Sequence, residues 1–303
     1  MDLRSAPSLL GVDFTSAPSR RKPITVARGR VAGGVLRLEA VDALSDFAAF
    51  EALLATPGPW LGAFDFPFGL PRAFVDALAL GTTIAEVAAA LRARCASRRA
   101  FQDLVDTWGN ARPPGQRLPH RATDLALAGT TSTSPLQTRY VPVGFMLFEG
   151  LPRLLAAGLH LPALHAGDPA RIALEGYPGA LAVALIGRRP YKNSAAPERL
   201  IARKDLVDAL EQGRADGAPR LKLGHAQRDA LVADVAGDRL DAVLCLLLAA
   251  RAAGRPGYGL PDDVDPVEGW IAGARRTRVD ASPGRPAAAA AAPSRRARAG
   301  AAA

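Results

Sequence analysis

The sequence predicts an α/β chain built on a mixed five-stranded sheet, three antiparallel strands followed by parallel ones, flanked by helices and interrupted by a helical and loop insertion. Three observations carry this. A 49% hydrophobic composition over 303 residues is enough to bury a substantial core. The first 41 residues alternate apolar with polar or small positions in short runs separated by turns. After them helix-like and strand-like segments alternate, and parallel pairing needs the crossovers that helices supply.

The elements follow in order. Leu9 to Phe14 is an apolar strand ending in a polar turn, Ser16 to Lys22. Ile24, Val26 and Val31 mark a second strand, and Val35, Leu36, Leu38 and Val41 a third beyond Gly33-Gly34. Ser45 reads as the N-cap of a helix through Phe47, Phe50, Leu53 and Leu54, stopped by Pro57-Gly58-Pro59. Trp60 to Phe66 is a buried strand. Arg72 to Gly109 is helical, and Asn110 to Tyr140, rich in Pro, Gly, Thr and Ser, is a loop of functional or disordered length. A helix from Pro142 to Ala157 completes an insertion of about 72–157, and Arg171 to Glu175 is the last strand. Helices then occupy Pro178 to Leu185, Glu198 to Glu211, Gly224 to Val235 and Asp238 to Ala253. The folded domain therefore covers 8–274, and 275–303 is an Ala/Pro/Arg-rich tail that cannot bury enough surface to order itself. The order of elements resembles the ribonuclease H-like core.

Charge says little about partners. The formal net charge is +9, but the stretch from Arg275 to Ala303 alone carries +6. Most of the excess therefore sits in the tail, where it predicts nonspecific DNA binding and not a shaped polyanion surface. The longest apolar run of the folded part, Ala242 to Ala250, spans nine residues, about half of the roughly 20 needed to cross a bilayer. No basic-then-apolar leader opens the chain, so a soluble cytoplasmic protein is expected. Cys95 and Cys245 lack metal-ligand spacing and read as buried, reduced thiols.

The chemistry lies in carboxylates. Asp13 ends the first strand, Asp65 the fourth and Glu175 the last, each followed by a turn. In open sheets, sites collect at the carboxyl ends of strands, which points all three at one cleft. The competing reading for Asp13 is a turn cap near Ser16. Asp238 and Asp241 open the most apolar helix and share one of its faces. Asp238 has a second reading as N-cap after Gly237, while Asp241 is better placed to reach inward. Four or five carboxylates in one cleft repel unless a divalent cation neutralises them, and such oxygen ligands suit Mg²⁺ or Mn²⁺. Two ions about 4 Å apart can activate a water and stabilise the leaving oxygen of a phosphodiester. His120, His160, His165 and His225 are scattered, so zinc is not expected.

Gly11-Val12-Asp13-Phe14-Thr15, Asp65-Phe66-Pro67-Phe68-Gly69-Leu70-Pro71, Glu175-Gly176-Tyr177-Pro178, Asp238-x-x-Asp241 and Glu268-Gly269-Trp270-Ile271 resemble domain-of-unknown-function family 429 over roughly 9–272. That family is regarded as predicted nucleases of the ribonuclease H-like superfamily. The resemblance implies that Asp13, Asp65 and Asp241, with or without Asp238, are metal ligands. It also implies a helix acid pair similar to that of Holliday-junction resolvases, with Asp65 where those commonly carry Glu and Glu175 on a strand that does not usually supply a ligand.

Substrate contacts are read from Thr15, beside Asp13, and from Arg121, Arg139 and Lys192. Arginine grips phosphate in bidentate fashion, and Lys192 offers a phosphate or transition-state contact near the Glu175 strand. The bland alternatives are solvated loop arginines and a surface turn. Trp270 reads as an anchor for the chain end. The leading expectation is a metal-dependent nuclease that hydrolyses DNA or RNA by water attack. The alternatives are a non-catalytic phosphate- or nucleotide-binding module on the same fold, and a protein-interaction module whose acids merely cap. In the last case Asp13, Asp65 and Asp241 would lie too far apart to share an ion.

Overall fold

The computed structural model describes residues 7–275. The tail expected beyond 275 therefore lies outside the described residues. Strands β1 (Ser8–Asp13), β2 (Ile24–Ala32) and β3 (Val35–Leu44) form an antiparallel meander. Helix α1 (Phe47–Leu54) is capped by Asp46, whose carboxylate accepts the Ala49 N–H at 2.8 Å. The expected cap, Ser45, sits one residue too early to reach the first turn. Strand β4 (Trp60–Phe64) pairs with β1 in parallel, and Asp65 is the first residue beyond it.

Helices α2 (Arg72–Ala77), α3 (Ile84–Arg94), α4 (Arg98–Asn110), α5 (Ala122–Leu125) and α6 (Val143–Ala156) follow before the chain returns to the sheet. It returns through β5 (Leu159–His160) and β6 (Asp168–Glu175), and β6 runs parallel to β4. Then come α7 (Pro178–Ile186), α8 (Pro197–Glu211), β7 (Arg220–Lys222), α9 (His225–Ala233) and α10 (Asp238–Ala253).

The strand order is β5-β6-β4-β1-β2-β3-β7, a mixed α/β sheet consistent with a ribonuclease H-like arrangement. The five expected strands are β1 to β4 and β6. The two further ones, β5 and β7, lie at the sheet edges and have two and three residues. That is too few for a period-two pattern to show in sequence.

Alternation along the strands assigns the two faces. Leu9, Leu61, Ala63 and Leu174 pack with α10, whereas Leu10, Val12, Phe64 and Ala173 pack with α1 and α6. Helix α10 is apolar on nearly all sides because it is sandwiched, with the sheet beneath it and α7 against it. No helix among the described residues is long and apolar enough to cross a membrane. Cys95 and Cys245 are free and buried.

Candidate metal centre

The parallel register places the acids. Val12, Phe64 and Glu175 stand side by side in one row across β1, β4 and β6. Asp13 and Asp65 come one residue later in their strands and so project to the opposite face, the one α10 covers. The Asp65 N–H donates to the Val12 carbonyl at 2.8 Å, which continues the ladder just far enough to fix that residue.

Helix α10 approaches unusually closely because Gly11 has no side chain. A Cβ there would lie 2.0 Å from the Leu246 nitrogen and 2.1 Å from the Ala242 oxygen. This backbone-to-backbone contact lays the first turn of α10 over the strand ends and delivers Asp241 to them. Oxygens of Asp13, Asp65 and Asp241 lie within 4.8 Å of one another.

The electrostatics are those of a charge-deficient site. Burial, followed by the neighbouring Asp65 charge, pushes the Asp13 carboxyl well above the ordinary range. Burial raises Asp65 to about 6, with Lys192 opposing the shift and Glu175 adding to it. Asp241 is fully buried. It accepts the Tyr191 hydroxyl at 2.5 Å on one oxygen, and its other oxygen meets the Lys192 ammonium. The Lys192 stem crosses Gly237, the α10 N-cap at φ 84°, where a Cβ would come within 2.7 Å of Lys192 Cγ. Only glycine suits both that backbone angle and that crossing.

The Lys192 ammonium thus faces three carboxylates, with the Lys22 charge acting more weakly on Asp13. Two oxygens sharing one Mg²⁺ at about 2.1 Å lie at most about 4.2 Å apart, and around a larger Ca²⁺ about 5 Å apart. A triad within 4.8 Å therefore needs only small side-chain rotations to hold one hard cation.

Other expected site residues take different places. Glu175 does not join the triad, because its row puts it on the far face. There its carboxylate receives two hydrogen bonds from Arg121, at 2.6 and 2.9 Å, and the Phe68 N–H at 2.9 Å. Arg121 is not a solvated loop arginine. It is buried, bonded also to Asp124 and to the Glu268 carbonyl, and has no donor left for phosphate. Asp124 in turn accepts the Ser132 hydroxyl at 2.6 Å, so this ion network ties down the long loop from Asn110 to Tyr140.

Arg139 stays at the surface, paired with Asp106 at 2.5 Å. The Thr15 hydroxyl takes the Ala17 N–H at 3.5 Å in the turn after β1. Asp238 is not the cap of α10. Gly237 occupies that position, and Asp234 supplies the capping carboxylate by accepting the Arg239 N–H at 2.8 Å. Asp238 remains beside the site, half-buried, and contributes to the rise of the Asp13 pKa. Trp270 is buried, its indole 3.4 Å from the Ala274 carbonyl, as a chain-end anchor would be.

Tyr191 is the residue sequence reasoning missed. It lies in the connection between α7 and α8, and its buried hydroxyl needs the acceptor that Asp241 supplies. A cleft of about 570 Å³ adjoins the triad, with Asp65, Tyr177, Arg188, Arg189, Tyr191 and Lys192 in its walls.

No curated protein and no solved structure matches the chain. The triad, the Arg121–Glu175 pair, α10 and every wall residue of the cleft but Ile271 lie within 11–265, the span matched by the family model described as "Protein of unknown function (DUF429)", and the chain belongs to that family.

Proposed function

We propose that the chain is a divalent-cation-dependent phosphodiesterase acting on nucleic acid, with Asp13, Asp65 and Asp241 holding the cation. The observation that carries this reading is the triad itself: three carboxylates from β1, the turn after β4 and α10, within 4.8 Å, with a single ammonium beside them. Buried like charges at this spacing are costly without a cation. Mg²⁺ or Mn²⁺ bound there would polarise a phosphoryl oxygen and lower the pKa of a bound water.

The chain's own residues do the positioning. Asp13 and Asp65 are held at the ends of adjacent strands, and Tyr191 holds Asp241 by its hydroxyl. Lys192 lies both on Asp241 and in the cleft wall, so its ammonium can pass to a substrate phosphate once a cation takes its place. Arg188 in the same wall bonds the Gly129 carbonyl and no carboxylate, and so favours an anionic substrate, whereas Arg189 is paired with Asp205.

Calorimetric titration of Mn²⁺ into the wild type and into Asp13→Asn and Asp241→Asn, followed by incubation with single-stranded, double-stranded, branched and hybrid nucleic acids, tests this reading. Saturable binding weakened by both variants, together with cleavage that both abolish, is expected; absence of metal-dependent cleavage of every substrate would overturn it. A second reading, a non-catalytic phosphate-binding module, is favoured by one observation, the Lys192 ammonium that already neutralises Asp241. It predicts nucleic-acid binding that is unaffected by divalent cations.

A further inference from the structure

Helix α7 separates the cleft beside the triad from a second cavity. Gly179, Ala182 and Val183 face the first, and Ala180, Leu181, Ala184 and Leu185 the second. The second cavity encloses about 250 Å³ near the C-terminal end of α10, with Leu127, Leu248 and Ile271 among its apolar walls. Its polar lining is Tyr177, Arg214, Arg251, Arg275 and Asp216.

Arg251 is the unusual member. Its side chain is 14% exposed, and its nearest carboxylate oxygen, on Asp216, is 3.9 Å away. Its Nε is buried without any hydrogen-bond partner. Asp216 is 77% exposed and held by Arg275 at 2.7 Å, so it does not serve as a dedicated counter-ion for Arg251. Burial, then the nearby Arg255 charge, lowers the Arg251 pKa, with Asp216 opposing the shift and Arg275 adding to it. A partly buried guanidinium without a close counter-ion is costly, and its fork of N–H donors in an arginine-rich, apolar-walled cavity matches an oxyanion bearing an apolar group.

We propose that this cavity binds a small phosphate monoester with an apolar substituent, its phosphoryl oxygens on Arg251 and Arg214 and its substituent against Leu127, Leu248 and Ile271. A doubly charged anion suits a site with several guanidinium groups around one carboxylate. The cavity volume lies below the roughly 300 Å³ at which drug-sized sites begin, which limits the ligand to a few more atoms than the phosphate itself.

The test is calorimetry on the full chain in EDTA, so that no divalent cation takes part, and the Arg251 variant separates binding here from any phosphate binding in the cleft beside the triad, which Arg251 does not line. The probes are phenyl phosphate, inorganic phosphate and benzoate. Phenyl phosphate should bind one-to-one and more tightly than inorganic phosphate, and Arg251→Met should weaken it roughly tenfold or more. The basic tail contributes the same background to both proteins. Should Arg251→Met fail to fold by circular dichroism, the exposed Arg214→Gln takes its place, with a loss of about threefold expected. No saturable binding of phenyl phosphate, equal binding by the arginine variant, or tighter binding of benzoate than of phenyl phosphate would each overturn the proposal.

Discussion

Replacing Asp65 by Asn should make the cation-free protein more stable and at the same time remove most of its response to divalent cations. Asp65 lies within 4.8 Å of two other carboxylates, and its pKa is raised from 3.8 to about 6. Near pH 7.5 a displacement of that size corresponds to about 3 kcal/mol lost by the charged folded state. Asparagine keeps the shape and removes the charge, so a gain of about 1–3 kcal/mol is expected after allowing for imperfect amide hydrogen bonding.

In a chain of this size such a gain corresponds to a rise in Tm of roughly 2–5 °C. The pH dependence follows from the direction of the shift. A carboxyl whose folded pKa is raised contributes its full stability below about pH 4 and loses it as the pH climbs through about 6. In EDTA the wild type should therefore weaken over that window, while Asp65→Asn weakens less.

Urea denaturation at pH 4.5, 6 and 7.5 measures this, and repeating it with Mn²⁺ at 100 times its Kd should add about 2.7 kcal/mol to the wild type. The variant should gain little. A variant less stable than the wild type in EDTA at pH 7.5, or one stabilised equally by Mn²⁺, would refute the argument that three carboxylates share this site with too little counter-charge.

Three further substitutions probe the supports. Gly11→Ala places a Cβ about 2 Å from the backbone of Ala242 and Leu246, neither of which can yield without moving α10, so a loss of at least about 3 kcal/mol is expected by urea denaturation. Arg121→Met strands Glu175 and Asp124 in the interior and should cost about 3–5 kcal/mol, part of which Glu175→Gln in the same chain should restore, as a double-mutant cycle would show. Lys192→Met removes the ammonium that competes with a cation for Asp241, so the calorimetric Kd for Mn²⁺ should fall several-fold while stability in EDTA declines.

What sequence reasoning could reach was set by range. Three antiparallel strands and the alternation after them are local patterns, and β1 to β4 and β6 follow them. That Asp13, Asp65 and Glu175 stand at strand ends was equally legible. Which of them share a face was not, because facing depends on inter-strand register. Glu175 pairs with Phe64, whereas Asp65 comes one residue later, and that single step sends the two carboxylates to opposite sides of the sheet. Arg121 shows the same limit. Its partner Glu175 is 54 positions away, and nothing in a Pro-, Thr- and Ser-rich stretch marks one arginine as buried. The cap of α1 failed for a smaller reason, since Ser45 and Asp46 are adjacent good caps and only the helix start distinguishes them.

The same register step separates two uses of buried acid within this one sheet. On the α1 face, Glu175 meets a dedicated arginine whose own remaining donors are taken by Asp124 and a carbonyl, a closed network that has its counter-charge built in and gains nothing from an ion. On the α10 face, three carboxylates share one lysine that reaches in on a flexible stem from a loop, and two of the three carry raised pKa values. A guanidinium of its own balances Glu175; one ammonium shared among three carboxylates leaves a charge deficit that something else can fill. It is this contrast in counter-charge, more than the number of acids near the cleft, that singles out Asp13, Asp65 and Asp241 as the group able to bind a cation.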